Sequence, residues 1–513
     1  MNRRDFLRYG TLTLSPVLLK LAHDASQPTA GSTFEVEILS DAAVGHIIRE
    51  SKSYPQVEGR ETEGLIVGGG IAGLAAAYEW RDQDFVLCEL SERLGGSSSG
   101  NTHRDQYFAQ GAHYDLAYPA YYGKDLLKVL YELDIVDYNQ ELDMWQFVDR
   151  EYLIPSDKES ITFEAGNFRA DVLPEGEMRD RFRALLLPFV GKMPMPTTDI
   201  ATEFHALNTI TFAAYLKENG IEDAQFLRAV DYAMRDDWGA PSAVVSALAG
   251  VHYYTCRPYF ERDPELLSPP QGNAYFAQRF ISRLPQERLL TQQLVRKIEK
   301  KAMGFEVTIV DVKAKQQWLL QTKKIVYAAH KHALQYVYPE GYPLFQHNRY
   351  SPWITINIVL ATPPPTQKVY WQNEYLSDDT AFMGFVDSAA QFQPLTTRRT
   401  FTAYYCLTPQ ERSRLLRLTE EAPQWLDKTI GYLEEVLGKP IRSQIEKVYI
   451  KAMGHAMPIP KPHFLLQQPN AQAAQTGIAY AGVDAGRLPL FFEAADSGLQ
   501  AARALNGQNL LEG

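Results

Sequence analysis

Three glycines, Gly68, Gly70 and Gly73, follow a short apolar run and open a stretch of small residues that includes Ala72. In this Gly-x-Gly-x-x-Gly spacing the first glycine permits a tight turn and the second lets the backbone approach a pyrophosphate. The third lets a helix pack closely on a sheet. The pyrophosphate then meets the free N–H groups at the start of that helix. The pattern predicts that residues 68–73 bind a dinucleotide.

An acidic residue, Glu89, ends a second apolar, strand-like run. It follows the glycines at the spacing of about 20 residues that is expected for a carboxylate hydrogen-bonded to the adenosine ribose hydroxyls. Such a carboxylate repels a 2′-phosphate, so NADP is disfavoured at this site. Although the glycine motif is weak evidence alone, the strand before it, the helix after it and the acid at this distance make the prediction specific.

The chain continues with Arg93, Gly95 and Gly96, which complete a Glu-x-x-x-Arg-x-Gly-Gly pattern that starts at Glu89. This pattern resembles the flavin amine oxidase superfamily, which includes monoamine and polyamine oxidases, L-amino-acid oxidases and, more distantly, carotenoid desaturases. The resemblance implies that FAD is the cofactor. It also implies that Gly95 and Gly96 form a second phosphate-binding loop, with Arg93 close to the phosphates and adenosine.

Three later segments resemble the same superfamily. Gly482 and Asp484 lie in an Ala-Gly-x-Asp sequence after a short strand, similar to the motif that meets the pyrophosphate and ribityl chain. Val295 resembles the valine whose backbone pairs with adenine. The segment 493–502 resembles the final helix, whose N-terminus points at flavin O2 and N1. One departure is Glu493, where the family usually has glycine.

Two residues are candidates for catalysis. Many relatives carry a lysine that holds a water near flavin N5, and the strand 353–360 aligns with the segment that bears it, which places Asn357 at that position. His455 lies where relatives have an aromatic residue beside the flavin. Because the ordinary pKa of histidine is near 6.5, His455 is a candidate base or hydrogen-bond donor. The alternative is a structural histidine bonded to backbone.

The elements that would position these residues define an α/β fold, with a Rossmann-like FAD-binding domain of the glutathione reductase/amine oxidase type and an inserted α+β substrate domain. Hydrophobic periodicity indicates helices around Leu126 and Val230. The predicted divisions are a signal at 1–30, a linker and short prelude at 31–60, a discontinuous FAD-binding domain at 61–118, 265–345 and 447–513, and a substrate domain at 119–264 and 346–446.

Composition excludes several classes of partner. The chain has a formal net charge of −11 and lacks a clustered basic stripe, which argues against nucleic acid as a partner. After the N-terminal segment, the sequence offers no uninterrupted apolar run of membrane-spanning length. Three widely spaced cysteines form neither a disulfide framework nor a metal clip, so no metal site is predicted.

The N-terminus carries an address signal. Arg3 and Arg4 precede Phe6-Leu7 and a modest apolar stretch between residues 12 and 22, an arrangement that resembles the twin-arginine export signal. It predicts export to the periplasm, with the twin-arginine machinery as a partner. The alternative is a frayed amphipathic N-terminus on a cytoplasmic protein.

Three functional hypotheses follow. The first is an FAD-dependent enzyme that oxidises a small amine or amino acid by hydride transfer to flavin N5. The second is an FAD-dependent desaturase, dehydrogenase or isomerase of an apolar substrate. The third is a non-catalytic flavin-binding protein, because a fold does not fix a function. A pocket with aromatic residues and a carboxylate would favour the first, a long apolar tunnel the second, and a blocked flavin face the third.

Overall fold

The computed structural model describes residues 34–50, 52–112, 122–154, 158–256, 266–362, 369–390 and 398–507. The predicted signal at 1–30 lies outside these residues. Within them, the strands in chain order are β1 (Glu35–Leu39), β2 (Arg60–Val67), β3 (Phe85–Cys88), β4 (Gly100–His103), β5 (Gln106–Ala109), β6 (Val136–Asn139), β7 (Met144–Phe147), β8 (Leu153–Ile154), β9 (Ser160–Glu164), β10 (Asn167–Arg169), β11 (Leu266–Leu267), β12 (Leu289–Leu290), β13 (Gln293–Lys301), β14 (Gly304–Asp311), β15 (Gln316–Tyr327), β16 (Tyr350–Leu360), β17 (Gln372–Leu376), β18 (Phe382–Asp387), β19 (Arg399–Cys406), β20 (Ile445–Pro458) and β21 (Ile478–Tyr480).

The α-helices over the same residues are α1 (Ala42–Gly45), α2 (Ile71–Glu79), α3 (Lys124–Glu132), α4 (Glu177–Leu186), α5 (Phe212–Glu218), α6 (Ala224–Trp238), α7 (Ala247–Thr255), α8 (Ala274–Ile281), α9 (Leu334–Val337), α10 (Leu418–Leu437), α11 (Ala473–Thr476) and α12 (Phe491–Leu505). None of the described helices is long and apolar enough to cross a bilayer.

The nucleotide-binding unit is built on a sheet with the order β12-β3-β2-β15-β14-β13, with β21 also paired to β15. Strands β12, β3, β2, β15 and β21 are parallel, while β13 and β14 continue the sheet as an antiparallel meander. Helix α2 consists mainly of small and apolar residues, eight of which are buried, because it packs between this sheet and α12. The predicted Rossmann-like α/β fold is confirmed.

The second unit is an eight-stranded sheet with the order β1-β20-β16-β19-β18-β17-β9-β10. Its central strand β16 is buried along its whole length, in agreement with the continuous apolar run in the sequence. Helix α10 covers one face with an apolar stripe that includes Trp425, Ile430 and Leu433. The predicted helices around Leu126 and Val230 are present as α3 and α6.

Two strands bear on the predicted divisions. Residues 447–458 are predicted to belong to the FAD-binding domain, but β20 pairs with β16 in the large sheet. Residues 31–60 are predicted to be a linker and a short prelude, and within them β1 adds a parallel strand to β20 with Leu39 opposite Lys451. Strand partners far apart in the chain leave no local sequence signal. The domain divisions stay predictions.

Candidate functional site

The first glycine loop leaves β2 and enters α2 as the motif requires. Gly68 has a φ of +100°, a conformation that favours glycine, and its N–H donates to the Cys88 carbonyl at 2.8 Å. At Gly73 a Cβ would lie 1.9 Å from the Gly68 carbonyl oxygen, so a larger residue would push the helix off the turn. These two glycines therefore hold the start of α2 against the strand end.

Glu89 stands directly after β3 and is buried beside this loop. Its Oε2 accepts from the Gly69 N–H at 2.6 Å and its Oε1 from the Ser91 N–H at 2.8 Å. Burial raises the pKa of Glu89, while these two backbone amides oppose that effect. The amides fix the carboxylate in the position that a ribose-binding acid needs.

The second glycine loop packs on the first. Gly95 bridges to Gly70, and its N–H donates to the Gly69 carbonyl at 2.8 Å. Arg93 is exposed, and its guanidinium donates to the Asn101 side-chain oxygen at 3.2 Å and to the Gly100 carbonyl at 3.4 Å. The predicted pairing of two glycine loops is therefore present, with Arg93 turned towards the protein.

A continuous cavity of about 2140 Å³ runs from these loops into the large sheet. Its volume exceeds that of an ordinary ligand pocket, roughly 300–1,000 Å³, and leaves room for a dinucleotide and a substrate. Most of the predicted site residues line it: Gly68, Gly70, Ala72, Glu89, Arg93, Gly95, Gly96, Val295, His455, Gly482 and Asp484. Gly73 is absent from the wall because its role is packing.

Two buried amides on this wall have no partner for one of their polar atoms. Gln110 Nε2 and Asn273 Oδ1 each find no hydrogen bond among the described residues, although their side chains are 4% and 2% exposed. Both residues adjoin Ala112, whose carbonyl accepts from the Asn273 N–H at 3.2 Å. Because buried polar atoms are rarely left unpaired, a polar ligand fits here. The glycine loops, Glu89 and these amides together fit FAD.

Asp484 is held by a lysine that the sequence analysis did not single out. Lys331 is fully buried, and its Nζ lies 2.9 Å from Asp484 Oδ1. Asp484 Oδ2 accepts from the Lys331 N–H at 2.8 Å and from the Tyr350 hydroxyl at 3.0 Å. Burial works against ionisation of Asp484, but Lys331 outweighs it and lowers the pKa below its ordinary value. Asp484 therefore lines the cavity and also joins Lys331 and Tyr350 beside it.

The unusual Glu493 is accommodated away from the cavity. Its Oε1 accepts from the Thr197 N–H at 2.7 Å, and its Oε2 accepts from Arg487 at 3.0 Å. Arg487 also lies 3.0 Å from Asp496, which closes a buried ionic triad in the first turns of α12. Phe491 and Ala494 face the cavity instead. The substitution leaves the N-terminus of α12 at the cavity wall.

His455 lies on the wall, stacked on His332 with ring centroids 3.6 Å apart. Burial, followed by the nearby His332 and His330, lowers the pKa of His455 to about 2. Burial also lowers the pKa of His332 to about 3. Both rings are therefore neutral at physiological pH, and His455 is poorly suited to carry a proton. A catalytic role for His455 stays a prediction.

Asn357 does not reach the cavity. Its Nδ2 donates to the Ala109 carbonyl at 2.8 Å and to the Thr402 hydroxyl at 2.9 Å, and its side chain is fully buried. Thr355, two residues earlier on the same strand face, lines the cavity instead. In a strand a slip of two residues preserves the face and changes the position along the strand. A role for Asn357 in the reaction stays a prediction.

The far end of the cavity is acidic and aromatic, which the sequence analysis did not predict. Asp236 and Asp237, at the end of α6, and Glu374, on β17, line this end. Burial, with the negative charge of Glu374, raises the pKa of Asp236 to about 7. Burial, with smaller contributions from Asp171 and Asp237, raises the pKa of Glu374 to about 7.

Aromatic rings share this end of the cavity: Tyr253, Tyr254, Trp371 and Tyr404. Tyr405, the next residue in the chain after Tyr404, belongs to the core instead. The available signal for the acids was Asp236-Asp237 directly before the buried Trp238 on an amphipathic helix. Over the described part of the chain, no group of three or more His, Cys, Asp and Glu residues is arranged to hold a metal ion.

Comparisons with known proteins agree with this architecture. The profile of the NAD(P)-binding Rossmann-like domain matches residues 66–129. No curated protein sequence matches the chain.

Among solved structures, wild-type putrescine oxidase bound to putrescine is 16% identical with a TM-score of 0.61, covering 88% of this chain and 100% of that chain. Cyclohexylamine oxidase from Brevibacterium oxydans is 16% identical with a TM-score of 0.61, covering 87% and 99%. A putative protoporphyrinogen oxidase from Exiguobacterium sp. is 14% identical with a TM-score of 0.60, covering 88% and 99%. The chain therefore has the fold of the FAD-dependent amine oxidases, with a Rossmann-like nucleotide-binding domain.

Proposed function

We propose that this protein is an FAD-dependent oxidoreductase that oxidises a small amine. The observation that carries the proposal is the pair of half-buried carboxylates, Asp236 and Glu374, at the far end of the cavity whose other end is built from the two glycine loops. The fold shared with putrescine oxidase and cyclohexylamine oxidase supports it.

The carboxylates suit a cationic substrate. Burial is the main cause of the raised pKa values of the two acids, and repulsion by the negative charge of Glu374 adds to it at Asp236. An ammonium group between them would relieve the repulsion. The aromatic rings of Tyr253 and Tyr404 in the same wall would add cation–π attraction.

The chemistry asks little of the side chains. FAD, when bound, supplies the acceptor for a hydride from the carbon that bears the nitrogen. An ammonium must first lose a proton, and a carboxylate with a pKa of about 7 is matched to accept it near neutral pH. The remaining wall positions the substrate and excludes water.

The test is anaerobic reduction of the flavin in the purified full-length protein. A panel of monoamines, diamines and amino acids is added, and the loss of flavin absorbance is followed over time. Bleaching by amines supports the proposal, and subdividing the panel then identifies the substrate. An oxidised spectrum with every amine, but bleaching by an apolar substrate, would favour a desaturase or dehydrogenase. A folded protein that takes up no FAD would reject flavin chemistry altogether.

We further propose that the protein is exported to the periplasm by the twin-arginine route, on the support of the paired arginines near its N-terminus. Replacement of both Arg3 and Arg4 by lysine is expected to retain the protein in the cytoplasm of a bacterial host, as measured by cell fractionation. The matched control replaces Arg8 by lysine and leaves the pair intact. Equal periplasmic amounts of the double variant and the wild type would contradict this proposal.

A further inference from the structure

Lys451 is a cation that the large sheet brings to the nucleotide end of the cavity. It lies on β20 opposite Leu39 of β1 on one side and Thr355 of β16 on the other. Its half-buried side chain lines the cavity, and its Nζ donates to the Ser99 hydroxyl. Within the part of the chain that the structure describes, Lys451 forms no ion pair with a carboxylate.

The second glycine loop has no cation of its own. Its sequence, Gly-Gly-Ser-Ser-Ser at residues 95–99, has no charged residue, and Arg93 just before it is exposed and bonded to Asn101 and Gly100. Lys451 reaches the end of this loop through its hydrogen bond to Ser99. Glycine loops bind phosphate through backbone N–H groups and gain from a lysine that acts as a point charge.

An anion beside Lys451 would stabilise its charged form. Burial lowers the pKa of Lys451, and the positive charge of Arg93 adds to this effect, while Asp41 and Glu89 oppose it. A cation that is partly withdrawn from water and has no paired carboxylate is stabilised when a ligand supplies the negative charge. The diphosphate of a dinucleotide carries negative charge and fits a wall formed by two glycine loops.

We propose that Lys451 binds the diphosphate of the cofactor, so that the substrate domain contributes a phosphate ligand to the nucleotide site. The inference rests on the proposed function only in that the dinucleotide is FAD. It assigns β20 a second task, because this strand also carries His455 and holds β1. The bound cofactor then links the two sheets through its phosphates.

The experiment compares ligands that separate the two halves of FAD. Flavin is removed from the full-length protein, which is then titrated calorimetrically with ADP, riboflavin and FAD. Lys451→Gln is expected to weaken the binding of ADP and of FAD by about 10- to 100-fold, because that is the usual contribution of a charge-assisted hydrogen bond to affinity. Riboflavin affinity should stay unchanged. Lys451→Arg, which keeps the charge, should retain most of the ADP affinity.

The matched control is Lys447→Gln on the same strand. Lys447 pairs with Glu35 and Glu37 and does not line the cavity, so its replacement should leave ADP affinity unchanged. If Lys451→Gln fails to fold, Lys451→Met and the arginine variant provide the same comparison.

Unchanged ADP affinity in a folded Lys451 variant without the charge would overturn the inference and leave the amine proposal standing. An equal loss of riboflavin affinity would also overturn it, because that loss would indicate a general collapse of the site. A wild-type protein that binds neither ADP nor FAD would reject both proposals.

Discussion

Replacement of Glu374 by glutamine should weaken substrate binding and stabilise the fold at the same time. The amide keeps the shape of the side chain and can still accept from the Thr162 hydroxyl, which lies 2.5 Å from the present carboxylate. It removes the negative charge that burial makes costly. Loss of that charge beside an ammonium should reduce kcat/KM for the amine by roughly 30-fold or more, since a buried charge pair is worth about 2–5 kcal/mol.

The stability change follows from the pKa of the same group. Since folding raises the pKa of Glu374 from 4.5 to about 7, the protonated form stabilises the folded state. This contribution is fully present below about pH 4.5 and is lost as the pH rises through about 7. At roughly 1.4 kcal/mol per pKa unit, the variant should be more stable than the wild type by up to about 3 kcal/mol at pH 8. The two proteins should be equally stable near pH 4.5.

Urea unfolding at pH 8 and pH 4.5 measures the change in stability. Anaerobic flavin reduction over a range of amine concentrations measures the change in kcat/KM. Glu420→Gln is the control, because Glu420 is exposed on α10 and away from the cavity. Neither its stability nor its kcat/KM should change. An undiminished kcat/KM in a folded Glu374→Gln protein would refute the role in amine binding. Destabilisation at pH 8 would refute the premise that the carboxylate is held against its preference for water.

Two other substitutions test the centre of the cavity. Asp484→Asn leaves the buried Lys331 ammonium without a counter-charge and should lower the free energy of unfolding, measured in urea, by about 3–5 kcal/mol. Adding Lys331→Met should restore much of this loss. Equal instability of the double variant would contradict the ion-pair argument. His455→Gln should leave the shape of the kcat profile between pH 5 and 8 unchanged, because the pKa of His455 is about 2. Disappearance of an ionisation in that range would instead identify His455 as a proton carrier.

The nucleotide end of the cavity was predictable because its determinants are local. The turn at Gly68, the close approach at Gly73 and the acid at Glu89 all lie within one strand-helix-strand unit. Each imposes a requirement on backbone geometry that few other residues meet. The sequence therefore predicted both the elements and their order, and the structure contains them as β2, α2 and β3.

The substrate end was not predictable for the opposite reason. Asp236 and Glu374 come from α6 and β17, and the chain between them gives no sign that the two meet. Lys451 reaches the glycine loop only because β20 belongs to the large sheet, which the sequence had assigned otherwise. Asn357 shows what strand periodicity leaves open, because periodicity gives the face on which a side chain lies and not its position along the strand.

Opposite charge at the two ends of the cavity favours an amine over an apolar substrate. Lys451 and the backbone N–H groups of the glycine loops make one end attractive to phosphate, while Asp236 and Glu374 make the other attractive to a cation. A hydrocarbon at the acidic end would cover two carboxylates without pairing them, which costs several kcal/mol. An ammonium would pair with them instead. This charge distribution is the reason why the proposed function names an amine as the substrate.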